Sequence, residues 1–287
     1  MIKKQDDQEA ERTGNVKNVE SIELPPKLLS AETRGVILVG DYGSGKTEIA
    51  VNLALNLARS LDPNEKDRQV EEDRQDKKDR KVAIADLDLV NPYFRCREAI
   101  EPLEQAGVRV VVPQGGHRFA DLPILLPQVK GLLQSDDEVA VLDVGGDEVG
   151  SRVLAGLAPA FRLDVHELWF VINANRPFND TPEGCLRTIQ RIERVCSLRV
   201  SGLVSNTHLM QETTAQMVMQ GAAMSEVVSK MLALPLRAVA VMAQISDQVS
   251  VDHPVLRMRR LMVPPWLRRD VMSNKRTGPD MFRLHSA

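Results

Sequence analysis

The residues Gly40-Asp41-Tyr42-Gly43-Ser44-Gly45-Lys46-Thr47 bring glycines, one amine and one hydroxyl together in the spacing Gly-x-x-x-x-Gly-Lys-Thr. Glycines free the backbone so that successive N–H groups face an anion, and a helix starting at the end of the run adds the positive end of its dipole. Lys46 is spaced to reach the β- and γ-phosphates of a nucleoside triphosphate, and Thr47 to ligate magnesium. Glu48 follows in the opening turn and is counted with the nucleotide-binding residues. The flanks fit this chemistry. Val36-Ile37-Leu38-Val39 is a buried strand before the loop, and Ile49, Ala50, Leu53, Ala54, Leu57 and Ala58 recur at helical spacing after it.

A magnesium shell at such a loop needs a carboxylate, and the run Ala140-Val141-Leu142-Asp143-Val144-Gly145-Gly146 supplies Asp143 at the end of an apolar strand. Gly146 lets its backbone N–H approach a γ-phosphate, while Asp147 suits the N-cap of the next helix. A second acidic strand end, Asp86-Leu87-Asp88-Leu89-Val90-Asn91-Pro92, carries carboxylates at i and i+2. On an extended backbone both project to one side, towards the magnesium or an attacking water. The expected catalytic groups are Lys46, Asp86 and Asp88, and the expected metal ligands Thr47, Asp86 and Asp143.

These groups need a scaffold that aims strand ends at one crevice. Further apolar, β-rich runs occur at Val82–Ala85, Val108–Val112, Val139–Val144, Leu168–Ile172, Val200–Val204 and Ala238–Val241. Helical segments at Arg97–Gln105, Pro123–Leu133, Pro182–Cys196 and Gln211–Leu232 separate most of them. Continuous apolar strands interleaved with helices predict a three-layer α/β domain with a mostly parallel sheet of about seven strands, the P-loop NTPase arrangement. The domain is expected over residues 35–270, after a polar tail and lead-in at 1–34 and before a C-terminal tail at 271–287. Within it, residues 62–81 carry eight acidic and seven basic residues and read as a solvated insertion. It lies at the end of the sheet away from the chemistry.

The formal charge of -3, from 37 basic and 40 acidic residues, gives no global attraction to nucleic acid or an anionic membrane. Three cysteines, Cys96, Cys185 and Cys196, without Cys-x-x-Cys spacing argue against a disulfide framework or an iron–sulfur site within one chain. No secretory h-region or long apolar span is present, so a soluble, cytoplasmic protein is expected.

Taken in order, the loop at 40–47, the Asp-Leu-Asp-Leu-Val-Asn segment, the Leu-Asp-Val-Gly-Gly-Asp segment and Gly202-Leu203-Val204-Ser205-Asn206 resemble the MinD/ParA-like branch (SIMIBI class) of P-loop ATPases. The resemblance covers roughly residues 35–263. It implies that ATP and Mg2+ are bound, that ATP is hydrolysed, and that Asn206 contacts the adenine base. It also implies a nucleotide-dependent homodimer acting as a switch on a protein partner; from the charge balance, no nucleic acid or membrane contact is expected. Members of this branch usually carry a lysine directly after the first glycine of the loop, reaching across the dimer. Asp41 stands there instead, so another cation must substitute, from Arg95, Arg97, Arg118, Arg152 and Arg176, or hydrolysis is slow.

Guanine-specific relatives place an Asn-Lys-x-Asp tetrad at a strand end. The corresponding stretches here, Asn173-Ala174-Asn175-Arg176 and Ser205-Asn206-Thr207-His208, lack that aspartate, so adenine is expected. Two alternatives stay open: an ATP-dependent ligase or kinase on the same fold, and a nucleotide-held scaffold without turnover. His117, Cys96 and His208 are too scattered in sequence to indicate a metal site. Val255–Val263, arginines between apolar residues before Pro264-Pro265, is expected to pack on the sheet rather than form a membrane-binding helix.

Overall fold

The computed structural model describes residues 28–61, 80–88, 99–112 and 122–262. In chain order the elements are β1 (Gly35–Val39), α1 (Lys46–Leu61), β2 (Lys81–Leu87), α2 (Ile100–Gln105), β3 (Arg109–Val111), α3 (Leu122–Gln134), β4 (Glu138–Val144) and α4 (Glu148–Leu157). They continue with β5 (His166–Ile172), α5 (Pro182–Cys196), β6 (Gly202–Ser205), α6 (Ala215–Leu232), β7 (Leu236–Met242) and β8 (Val255–Met258).

All eight strands form one sheet in the order β3-β2-β4-β1-β5-β6-β7-β8, and every pairing is parallel. The expected sheet of about seven mostly parallel strands is present, with eight strands and every pairing parallel among the described residues. The extra strand is β8, the opening of the arginine-rich stretch. Leu256 and Met258 are buried, with Arg257 exposed between them. That period-2 alternation places them on the face that α1 covers, whereas a helix would have scattered them.

Alternation along the inner strands builds one core on each face. Val36 and Leu38 of β1 join Ile84, Val141 and Trp169 beneath Ile49 and Leu53 of α1 and Leu103 of α2. Ile37 and Val39 join Leu142 and Phe170 beneath Val129 of α3, Val153 of α4, Ile189 of α5 and Val218 of α6. Each fully buried aliphatic or aromatic side chain contributes roughly 1.5–3 kcal/mol. The P-loop NTPase architecture expected from the sequence is the one present. Part of the lead-in also belongs to it, since Leu28 is buried in the first core and the Arg34 N–H donates to the Val165 carbonyl.

Several helix boundaries follow from capping chemistry. Thr181 caps α5 by accepting from the Gly184 N–H, and Asp147 caps α4 by accepting from the Gly150 N–H, as its position suggested. The helix expected from Gln211 starts instead at Ala215, because Thr214 caps it by accepting from the Met217 N–H. The helix expected over Arg97–Gln105 is described from Ile100. Of the charged insertion, residues 62–79 lie outside the described part. Its two ends, Leu61 and Lys81, sit at the N-terminal edge of the sheet.

After β8 the chain turns across the start of α1 as a strap. The Asn52 amide donates to the Arg259 carbonyl at 2.9 Å and its oxygen accepts from the Arg259 N–H at 2.8 Å. The Glu48 carboxylate accepts from the N–H groups of Leu261 and Met262. Burial pushes the Glu48 carboxyl up from its usual range, and those two N–H groups hold it partly down. Asn52→Ala removes both hydrogen bonds to Arg259 and is expected to cost about 1–3 kcal/mol of stability. Urea denaturation should show the midpoint falling at unchanged slope, and an unshifted midpoint would mean that Asn52 does not hold the strap.

Candidate functional site

The sheet order puts β1 between β4 and β5, so the loop leaving β1 lies beside the ends of both. In an open parallel sheet this reversal of strand order, at the carboxyl edge, is where ligands bind. Gly40, Gly43 and Gly45 have φ of 148°, 75° and 87°, values that side chains rarely adopt, so the loop's curvature depends on them.

A loop whose N–H groups are turned towards an anion must turn carbonyls inward, and each inward carbonyl needs a donor. Lys46 Nζ donates to the carbonyls of Gly40 at 2.9 Å and Asp41 at 3.0 Å. The Gly43 carbonyl accepts from Asn173 Nδ2 and from Arg176 Nε, both at 3.2 Å. The Ser44 carbonyl accepts from Asn206 Nδ2 at 2.7 Å. Asn173 also accepts from the N–H groups of Asn175 and His208, tying the ends of β5 and β6 to the loop.

Thr47 and Asp143, both expected at the magnesium, are brought together: Thr47 Oγ1 donates to Asp143 Oδ2 at 2.6 Å. Asp143 is in register with Asp86 on the neighbouring β2, and both are about 1 % exposed. Asp86 Oδ1 accepts from the Asp88 N–H at 3.1 Å. The two carboxylates of this segment thus differ in place. Asp86 is buried at the strand end, whereas Asp88 lines the cleft beside the loop. Gly146 packs directly on the loop, where a Cβ would meet Gly40 O at 2.5 Å and Tyr42 N at 2.8 Å.

Lys46 is only 6 % exposed, and burial pulls its ammonium below the usual range while Asp143, Asp88, Asp41 and Asp147 oppose that fall. The ammonium is held by the two loop carbonyls within the field of these acids. For magnesium, the hydroxyl and carboxylate oxygens of Thr47 and Asp143 are the hard donors the ion takes, which usually keeps waters and phosphate oxygens as its other ligands. Among the described residues no cluster of three or more His, Cys, Asp or Glu forms a metal cage. Cys96 and His117 lie outside those residues.

The cleft runs from Tyr42, Gly43, Lys46 and Asp88 to an apolar end walled by Met210, Met242, Met258 and Met262, with Asn206 and His208 between. A second cleft opens on the other side of the loop, over Asp147, Ser151, Phe178 and Arg191, and shares Tyr42, Gly146 and Arg176 with the first.

Asp41 is the residue whose job the sequence left undefined. Its carboxylate accepts from Asn179 Nδ2 at 2.9 Å and Thr188 Oγ1 at 3.2 Å, and pairs with Arg191 at 2.9 Å. It anchors the loop to α5 within the same chain. Beside it the Cys185 thiol, buried and close to this carboxylate, is pushed up to about 12. Of the candidate cations, Arg176 lies on the loop. Arg152 is exposed and paired with Glu148, and Arg95, Arg97 and Arg118 fall outside the described residues. Asn179 and Thr188 went unnoticed in the sequence, and Asn173 was read only against the guanine tetrad, because their partners are main-chain groups or an acid far away in the chain.

No helix among the described residues is long and apolar enough to cross a membrane. Restoring a lysine at position 41 tests the anchor. Asp41→Lys loses three hydrogen-bonded partners and sets a cation against Arg191, so unfolding free energy should fall by about 2–3 kcal/mol. Unchanged thermal and urea stability would show that the anchor contributes nothing.

No protein-family model and no curated protein matches the chain. Solved structures of similar fold include FtsY from Mycoplasma mycoides, at 17% identity and TM-score 0.42 over 71% of this chain and 58% of that one. The signal recognition particle 54 kDa protein from Aeropyrum pernix K1 in complex with GDP is 22% identical, with TM-score 0.44 over 77% of this chain and 44% of that one. FlhF complexed with GMPPNP and Mg2+ is 16% identical, with TM-score 0.35 over 63% of this chain and 59% of that one. The chain spans less than two thirds of each, and at these identities the likeness is one of fold alone.

Proposed function

We propose that the chain is a P-loop nucleotide hydrolase, a MinD/ParA-like switch in outline that binds Mg·ATP and alters a protein interaction with its nucleotide state. The observation that carries this reading is the hydrogen bond from Thr47 to Asp143 beside the buried Lys46, which joins the loop's last residue to a strand-end carboxylate 96 residues away.

Each residue has a task in this reading. The loop N–H groups and Lys46 hold the β- and γ-phosphates, and the Gly146 N–H faces the γ-phosphate. Thr47 and Asp143 hold magnesium, with Asp86 behind them; the ion supplies neutralisation of phosphate charge. Asp88, on the cleft wall, orients the attacking water. Arg176 supplies in the same chain the positive charge that a lysine at position 41 would bring from a partner. Adenine is favoured because neither stretch at the neighbouring strand ends, Asn173-Ala174-Asn175-Arg176 or Ser205-Asn206-Thr207-His208, carries the aspartate of the guanine-specific tetrad. The GDP and GMPPNP of the similar structures make guanine nucleotide the necessary comparison.

A nucleotide-dependent homodimer is part of the proposal. Tyr42, in the wall of both clefts, and Phe178, in the wall of the second, stand 69 % and 72 % exposed, and a second copy seated on them would sense the γ-phosphate. The second cleft also favours an alternative reading, an ATP-dependent kinase or ligase in which that cleft holds the phosphoryl acceptor. Phosphate release with and without small-molecule candidates separates the two.

Lys46→Ala is expected to abolish measurable ATP binding. Asp88→Asn and Arg176→Ala are expected to retain ATP but slow phosphate release by roughly 100-fold or more. Calorimetry with ATP and GTP, together with a phosphate-release assay, measures both effects; full ATP affinity in Lys46→Ala would refute the loop assignment. Light scattering with ADP and with Mg·ATP tests the dimer, and a monomer in both states would remove that part of the proposal.

A further inference from the structure

His208 sits in the cleft wall where sequence reasoning placed no ligand contact. Its Nδ1 accepts from the Met210 N–H at 3.4 Å, so the ring proton belongs on Nε2. Nε2 is buried and without a hydrogen-bond partner. It points at the loop, 3.2 Å from where a Cβ on Gly45 would stand, and the residue lines the cleft between the loop and the methionine wall. Burial, and then the Arg176 and Arg260 guanidinium groups, pull the imidazole down to about 4, so it stays neutral at physiological pH.

The neighbouring Asn206 is turned towards the loop. Asn206, which the resemblance assigned to the base, donates its amide to Ser44, and the same nitrogen lies against Gly45. His208, in the wall of the same cleft, carries an Nε2–H that no hydrogen bond within the protein uses. A nucleotide in the anti conformation turns its N7/C8 edge towards its own phosphates, and N7 is a hydrogen-bond acceptor in adenine and in guanine alike. With the phosphates on the loop and the purine over Met210, Met242, Met258 and Met262, that edge passes His208.

We propose that His208 is a base-recognition residue whose Nε2–H donates to the purine N7. The inference rests on the reading of this cleft as a nucleotide site. It assigns His208 to binding the base, with no role in the transfer step.

The test compares ATP with 7-deaza-ATP, in which a C–H replaces N7, by calorimetry on the full chain with magnesium. The native protein should bind 7-deaza-ATP about 10-fold more weakly than ATP, the usual size of one hydrogen bond to a buried donor. His208→Phe should bind both equally, near the native affinity for 7-deaza-ATP. Equal affinities in the native protein, or an undiminished preference for ATP in His208→Phe, would overturn the assignment. Should that variant not fold, imidazole 15N spectra of the native protein decide. The Nε2 proton should shift on adding ATP and not on adding 7-deaza-ATP, and identical spectra with both would refute the contact. A native chain that binds neither nucleotide would instead refute the nucleotide site itself.

Discussion

The phosphate loop can present N–H groups to an anion only if its carbonyls, turned the other way, find donors inside the protein. Much of the surrounding structure answers that requirement. Lys46 takes the Gly40 and Asp41 carbonyls, Asn173 and Arg176 take Gly43, and Asn206 takes Ser44. These donors come from α1 and from the ends of β5 and β6, so the sheet order that places β5 beside β1, with β6 next to it, is what makes the loop possible. The loop's rigidity is then a property of the sheet's edge more than of the loop sequence.

Charge is organised around the same point. Lys46 is buried with four acids in its field, and a buried charge is tolerated only when such partners and hydrogen bonds surround it. Asp41 faces away from Lys46's role and towards α5, where Asn179, Thr188 and Arg191 hold it. The position that holds a bridging lysine in the resembled branch has become an internal tether, and Arg176 stands on the loop in its own chain. A movement of the loop on binding phosphate would pull on α5 directly, which gives a nucleotide-dependent change a path to the surface.

Much of this was legible in the sequence wherever the signal was local. Glycine spacing, Lys46 and Thr47 identify the loop, the apolar runs identify the inner strands, and Asp147 announces the start of α4. The pairing of Thr47 with Asp143 also followed, because motif order implies which strand ends share an edge. What escaped reading depends on contacts between distant segments. β8 was hidden because a four-residue edge strand with an arginine in it resembles any mixed stretch. Glu48 reads as a ligand residue and lines the cleft, but its hold on the strap through the Leu261 and Met262 N–H groups has no signal in the sequence. Asn173 and Asn179 have no motif, since each is selected by a carbonyl or carboxylate more than 100 positions away.

The central claim is that the inward-braced loop is a triphosphate site completed by magnesium. 31P NMR of ATP titrated with the chain tests it most directly, with magnesium present and after chelation. The account predicts that the β- and γ-phosphate resonances shift or broaden as the chain is added, and that chelating magnesium reverses most of the change. Phosphate resonances unaltered by the chain at concentrations of both in excess of ~1 mM, where even weak binding of about −4 kcal/mol would register, would contradict it.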